Sequence, residues 1–281
     1  MRVAFATCKT LPEPDPDAEP LLRALQAQGV EACQLAWDDE HADFSAADLT
    51  LLRATWNYPQ YPSEFLAWVA TVSKQTALWN PAEVVRWNYH KRYLLDLARR
   101  GLPIVPTELV LAGSDESLQS ICQRRGYSAV VVKPAIGAGS FGARMFADAE
   151  AGEAHLTALR ERGDVLVQPY LRSITGRGER SLVWIDGDIT HAVRKAPRFA
   201  GEHEQIEPVT DLSTAERALA EKIFATLDLK PFYGRVDLVP GEDGEPLVME
   251  LELIEPSLYF NHSASGLERF AAGTLARLRA L

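Results

Sequence analysis

Between residues 234 and 252 the chain reads Gly234-Arg235-Val236-Asp237-Leu238, then Gly241-Glu242-Asp243-Gly244, then Val248-Met249-Glu250-Leu251-Glu252. Both flanking runs alternate apolar and charged residues at the period of two that marks a strand with unlike faces. The Asp-Gly pair between them is a hairpin signal. With Asp243-Gly244 at the turn centre, Asp237 stands opposite Glu250, and alternation carries Glu252 onto the same face. Opposed carboxylates repel, so burying them together requires a cation. An all-oxygen set of Asp237, Glu250 and Glu252 suits Mg²⁺ or Mn²⁺ bound jointly with a nucleotide's phosphates. An amphipathic strand showing Glu250 and Glu252 to water is the alternative, and Pro240 and Pro246 leave the register open to a shift.

A β-branched run ending in Lys133 leads into Pro134-Ala135-Ile136-Gly137-Ala138-Gly139-Ser140-Phe141-Gly142, and Ala143 to Phe146 then reads as another strand. Small residues let backbone N–H groups approach phosphate oxygens, and Lys133 adds charge. The spacing of Gly137, Gly139 and Gly142 also matches a dinucleotide fingerprint. That fingerprint opens a helix and is followed about 20 residues later by an acid at a strand end. Here a strand follows the glycines, and Asp164, the acid at that distance, begins a strand. A Walker A loop would end in Gly-Lys-Ser/Thr, whereas this lysine precedes its glycines. A flexible hairpin loop remains the other reading.

Around these motifs the pattern divides the chain in three. Strand-like Val3 to Ala6, a helix from Ala18 to Gln28 closed at Gly29, strands at Ala32 to Leu35 and Leu49 to Arg53, a helix from Pro62 to Lys74 and a strand at Ala77 to Trp79 predict a small parallel α/β domain over 1–82. A helix carrying Lys91, from Tyr89 to Arg100, opens an α+β lobe over 83–168. The region 169–281 carries long antiparallel strands: Glu179 to Ile185, Ile189 to Lys195, and the acidic hairpin. A length of 281 residues with 47% hydrophobic and 24% charged residues fits two or three such units. The net charge of −10 argues against a broad nucleic-acid or membrane footprint, since both are polyanions. Cys8, Cys33 and Cys122 lie far apart with no C-x-x-C spacing and read as buried thiols. No run approaches the roughly 18 apolar residues of a membrane span, and the N-terminus lacks a signal-like apolar stretch. A cytoplasmic protein is expected.

Together these features resemble the ATP-grasp superfamily along essentially the whole chain. The resemblance runs through Lys91, the loop from Lys133 to Gly142, the strand Val165-Leu166-Val167-Gln168-Pro169-Tyr170-Leu171, Gly178-Glu179, and the R-x-D…E-x-E set. It implies an N-terminal Rossmann-like domain, a small α+β lid lobe and a C-terminal antiparallel-sheet lobe, with ATP held between the lobes. By that resemblance Lys91, Lys133 and the loop residues Gly137, Gly139, Ser140 and Gly142 contact phosphates. Gln168, Pro169, Tyr170 and Leu171 hold adenine, Glu179 reaches the ribose or metal, and Asp237, Glu250 and Glu252 ligate Mg²⁺ or Mn²⁺. The chain departs from the commonest E-x-N pattern by placing Glu252 where Asn is usual. A second departure lies in Arg194-Lys195-Ala196-Pro197-Arg198 and the acidic Glu202-His203-Glu204-Gln205 after it.

Thr55-Trp56-Asn57-Tyr58, Trp87-Asn88 and Glu250-Leu251-Glu252-Leu253-Ile254-Glu255-Pro256-Ser257 are similar to a bacterial ATP-grasp group that includes cycloserine-forming and glutathione-synthetase-like proteins. That kinship implies a carboxylate–amine ligase working on small molecules through an acyl phosphate, and a homodimer. A catalytically inactive ATP-binding sensor of the same fold is the alternative. Arg235, Arg194 and Lys195 are the candidate catalytic groups. Arg53, Trp56 and Tyr58 follow an apolar strand, where α/β sheets bind ligands, and are candidate substrate contacts together with Ser257.

Overall fold

Strand β1 (Arg2–Thr7) is buried almost throughout because it runs through the middle of a parallel sheet with both faces covered. The sheet also contains β2 (Glu31–Ala36), β3 (Leu49–Ala54) and β4 (Ala77–Trp79), in the order β2-β1-β3-β4. Helix α1 (Ala18–Gln26) turns Leu21 and Leu25 into the core, and α2 (Pro62–Val72) starts on a proline, whose missing N–H costs nothing at a helix start. The computed structural model describes residues 1–139, 141–196 and 205–281. Ser140, Pro197, Arg198 and Glu202-His203-Glu204 lie outside the described residues.

After the short helices α3 (Ala82–Asn88) and α4 (Tyr93–Arg99) comes a second, antiparallel sheet. It is built from β5 (Glu108–Val110), β6 (Val130–Pro134), β7 (Arg144–Phe146) and β8 (Val165–Pro169), ordered β5-β8-β6-β7, with α5 (Leu118–Arg125) and α6 (Ala149–Arg160) packed on it. Lys91 is not on a helix. It sits in the turn between α3 and α4, where the His90 imidazole accepts from the Arg92 amide at 3.1 Å and the Lys91 amide donates to the Ala135 carbonyl at 2.7 Å. The local hydrogen bonds break what sequence periodicity reads as one helix, and they tie Lys91 to the strand that carries Lys133.

The third sheet is antiparallel. Beyond α7 (Ile174–Arg177) it comprises β9 (Glu179–Ile185), β10 (Asp188–Lys195), β11 (Ile206–Pro208), β12 (Tyr233–Pro240) and β13 (Pro246–Glu252), ordered β11-β10-β9-β12-β13. Helix α8 (Thr214–Thr226) covers the face that carries Val236 and Leu238. Asp237 pairs with Glu250 and Arg235 with Glu252, as the hairpin arithmetic predicts. Two departures from that arithmetic cancel. The loop is five residues, 241–245, closed by the Gly241 amide on the Glu245 carbonyl at 2.7 Å, so the turn centre is Asp243. A bulge then leaves Met249 unpaired between Val248, opposite Leu238, and Glu250, opposite Asp237.

The C-terminal helix α9 (Ala264–Arg279) joins the first and third sheets in one core: Val3, Phe5, Leu21 and Leu51 share it with Ile185, Phe232, Tyr233 and Phe270. Buried asparagines complete the joint by substituting for backbone. Asn80 donates to the carbonyls of Tyr233 (2.7 Å) and Leu253 (2.6 Å) and accepts from the Phe232 amide (2.6 Å). Asn88 donates to the Leu251 carbonyl and accepts from the Leu253 amide, acting as one more strand residue beside β13. Cys8 and Cys122 are buried thiols, whereas Cys33 is half-buried. Among the described residues no helix is long and apolar enough to cross a membrane.

Candidate functional site

The charged face of the third sheet is set by alternation along β12. Tyr233, Arg235 and Asp237 face one way, Val236 and Leu238 the other. Cross-strand pairing then lays Glu179 of β9 beside Lys195 of β10, and Glu250 and Glu252 of β13 beside Asp237 and Arg235. The result is a closed network. Arg235 forks onto Asp237 (2.8 and 2.9 Å) and reaches Glu252 (2.5 Å). Lys195 bonds Asp237 at 2.9 Å and pairs with Glu179. Lys91 pairs with Glu250. Each of these three acids on the hairpin therefore has a basic partner, and among the described residues no three His, Cys, Asp or Glu side chains are grouped as a metal site.

Burial and charge pull on these groups in opposite directions. Burial raises the Asp237 carboxyl, but Arg235 and Lys195 outweigh it and hold Asp237 well below the usual carboxylate range. Glu250 is likewise favoured upward by burial and brought below its ordinary value by Lys91 and Lys133. Glu252 stays raised because burial and the negative charges of Glu250 and Asp237 exceed the help from Arg235. Glu179 is pushed by burial to about 7 despite Lys195. Lys133 is buried, makes no ion pair among the described residues, and is lowered by desolvation, with Glu250 acting against that shift.

The glycine loop joins β6 to β7 above this face. Gly142 has φ +75°, and a Cβ there would stand 3.0 Å from Pro134 Cγ, so the tight return of the loop excludes a side chain. Gly139 also has positive φ, whereas at Gly137 a Cβ would meet Pro134 and Phe141 only at an ordinary 3.9 Å; Gly137 lines a small cavity with Lys91 and Glu250. At the end of β8, Gln168 is buried with its amide donating to Thr107 at 2.8 Å, and the Tyr170 amide donates to the Ala129 carbonyl. Two groups of the Gln168-Pro169-Tyr170-Leu171 segment are thus already engaged within the protein.

Other candidate residues divide. Arg194 lies on the opposite sheet face from Lys195 and holds Glu207 (3.0 Å) and the Gly176 carbonyl (3.1 Å), so the structure does not bring it to the acidic cluster. Arg53 does not reach the cavity either. It is 2% exposed and pairs at 3.3 Å with Asp17, itself fully buried. Trp56 donates from Nε1 to the Glu255 carbonyl at 3.0 Å, and Tyr58 stacks on Phe65 with its ring lining the cavity. Ser257 offers its carbonyl to Arg235 at 3.3 Å. Glu255, which lines the same cavity, went unassigned in the sequence, although its place three residues after Glu252 in an otherwise apolar run was a legible signal.

Residues 3–80 match the family model described as the N-terminal domain of D-cycloserine synthetase DcsG. The cycloserine biosynthesis protein DcsG of Streptomyces lavendulae is 36% identical over 283 residues, which cover 94% of this chain and 95% of that protein. The chain belongs to the DcsG family of ATP-grasp ligases. This ATP-grasp protein is accordingly an enzyme, a ligase that forms C–N bonds. The crystal structure of D-cycloserine synthetase DcsG matches it with a TM-score of 0.90 and 34% identity, across 99% of this chain and 100% of that one. D-alanine–D-alanine ligase from Bacillus anthracis, in a crystal structure complexed with ATP, shares the fold at a TM-score of 0.73 and 16% identity, over 100% and 98% of the two chains. The parallel N-terminal sheet and the two antiparallel lobes are thus those of the ATP-grasp fold.

Proposed function

We propose that this ligase is Mg·ATP-dependent and joins a carboxylate to an amine through an acyl phosphate, on a small amino-acid-like substrate, with ring closure within one molecule as the form the cycloserine relatives suggest. The observation that carries this reading is the buried face on which Asp237, Glu250 and Glu252 meet Lys91, Lys133, Lys195 and Arg235. Its acids and bases nearly balance, so it accepts a metal and a polyphosphate together better than either alone.

The all-oxygen donor set fits a hard divalent cation, and Asp237, Glu250 and Glu252 would hold Mg²⁺ or Mn²⁺ jointly with phosphate oxygens. Bound there, the metal supplies charge neutralisation for phosphoryl transfer. Lys91 exchanges Glu250 for phosphate, and Lys133, buried and unpaired, takes a phosphate oxygen directly. Loop amides at Gly137, Gly139 and Gly142 cradle the same group. The strand end Gln168 to Leu171 and Glu179 hold the nucleoside. Arg235, fixed at both ends by Asp237 and Glu252, faces the site where an amine meets the activated carbonyl and stabilises the tetrahedral oxyanion. Lys195 neutralises the departing phosphate.

The test is Mg²⁺-dependent ADP release against a panel of D- and L-amino acids, O-substituted serines and small dipeptides, with mass spectrometry of each positive well. A product lacking one water relative to its substrates, formed with stoichiometric ADP, is the expected result. Failure to bind Mg·ATP overturns the reading.

A further inference from the structure

Glu255 stands apart from every other acid on this face. Asp237, Glu250 and Glu252 each have a lysine or arginine partner, whereas the Glu255 carboxylate makes no hydrogen bond or ion pair among the described residues, although the residue is only 6% exposed. Its backbone is pinned from the first sheet by Trp56, whose indole donates to the Glu255 carbonyl at 3.0 Å. Its side chain lines the small cavity beneath the glycine loop, together with Tyr58, Asn88, Lys91, Tyr93 and Glu250. That cavity has room for about one water-sized group. A buried carboxylate without a partner is expensive, and burial together with Glu252 pushes this one up to about 8. Alone, the side chain is kept neutral by its own proton, and a compact cation entering the cavity would favour its charged form.

We infer that Glu255 is the residue that receives the protonated amino group of the amino-acid-like substrate. The inference rests on the ligase reading above and names the side chain that recognises the amine. An ammonium brings three donors on a point charge, which suits one carboxylate in a water-sized space. Tyr58 lines the same small cavity. A second divalent ion is the less suitable occupant, because the neighbouring oxygens it would need, those of Glu250 and Glu252, are the ones assigned above to the first.

Calorimetry on the full chain, with Mg²⁺ and a non-hydrolysable ATP analogue present, separates the possibilities. The probes are both enantiomers of alanine, serine and O-methylserine, beside lactate and glycerate, which carry hydroxyl in place of the amine. E255Q should weaken the amino acid that binds the wild type by roughly 30-fold or more, the loss expected when one partner of a buried charge pair is removed, and should leave the hydroxy acid unaffected. E255D, shorter but charged, should recover part of the loss. The Glu255 carboxylate has no hydrogen bond or ion pair to lose among the described residues, and glutamine keeps its size, so E255Q should fold and melt no lower than wild type. Equal binding of the amino acid by E255Q overturns the inference. So does a loss of Mg²⁺ affinity in place of amine affinity, which would make Glu255 a metal ligand, and so does a wild type that binds none of the ammonium-bearing probes. Failure of the ligase reading looks different: no acid then supports Mg·ATP turnover in the wild type.

Discussion

Arg53 ends an apolar strand of the first sheet, where substrate carboxylates are commonly met, yet the structure gives it a load to bear inside the fold. Asp17 accepts from Arg53 Nη2 at 3.3 Å and also from the amides of Leu258 (2.6 Å) and Phe260 (2.9 Å), so one carboxylate ties the first sheet to the segment that follows the acidic hairpin. Arg53 Nε and Nη1 have no other partner. Asp17→Asn keeps the shape, removes the charge, and turns an amide NH₂ toward a backbone donor. The guanidinium then loses its hydrogen-bonded counterion and keeps only the more weakly coupled Asp15, a defect worth about 3 kcal/mol. Arg53→Met leaves Asp17 with two backbone donors and should cost less, about 1–3 kcal/mol. The double variant should be more stable than the sum of the two losses by roughly 2 kcal/mol, because the uncompensated charge disappears with its partner. Urea unfolding midpoints of the four proteins complete the cycle. If Asp17→Asn shifts stability by less than about 1 kcal/mol while Arg53→Met raises the KM for the acid substrate, Arg53 serves the ligand and the structural assignment fails.

Three further outcomes are expected. Glu250→Gln should lower Mg²⁺-dependent ADP release at least about 100-fold by removing a charge that positions both metal and Lys91; a rate near wild type, measured by coupled ADP assay, would refute the metal assignment. Lys133→Ala should raise the KM for ATP about tenfold, the value of one charge-assisted phosphate contact, and an unchanged KM would remove Lys133 from the phosphate site. Glu255 has a folded-state value of about 8 against 4.5 for the free group, so the folded chain holds its proton more tightly than the unfolded chain. That contribution is complete below pH 4.5 and declines as pH rises through 8, by up to about 3 kcal/mol at pH 7. Glu255→Gln should flatten this part of the stability profile, and urea midpoints that fall equally in variant and wild type between pH 5 and 8 would refute it.

Strand alternation, the Asp-Gly turn and the run of small residues after Lys133 are local properties, and they made the sheet lobes, the hairpin partners and the glycine loop legible from residue order. The register of Asp237 opposite Glu250 followed from the same logic, but the turn centre was misplaced by half a residue and the bulge at Met249 made up the difference. A bulge depends on how β13 meets Pro103 and Val105 on its far edge, which no local pattern records. The helix around Lys91 was misread for a similar reason: its turn is held by His90 and by the Ala135 carbonyl, over 40 residues away.

Charge identity and spacing along the chain determined that Asp237, Glu250 and Glu252 would share one face of the hairpin with Arg235, because alternation on a strand leaves little freedom once the partner is known; the two lysines came from family resemblance alone. The tertiary structure decided which charges are matched and which are left over. Lys91 pairs with Glu250, Arg53 with Asp17, and Arg194 turns to the other face, while Glu255, without an ion pair among the described residues, lines a cavity with Tyr58 of the turn that follows β3. Those assignments depend on desolvation and on distances between segments remote in sequence. Neither quantity exists until three sheets have packed against one another.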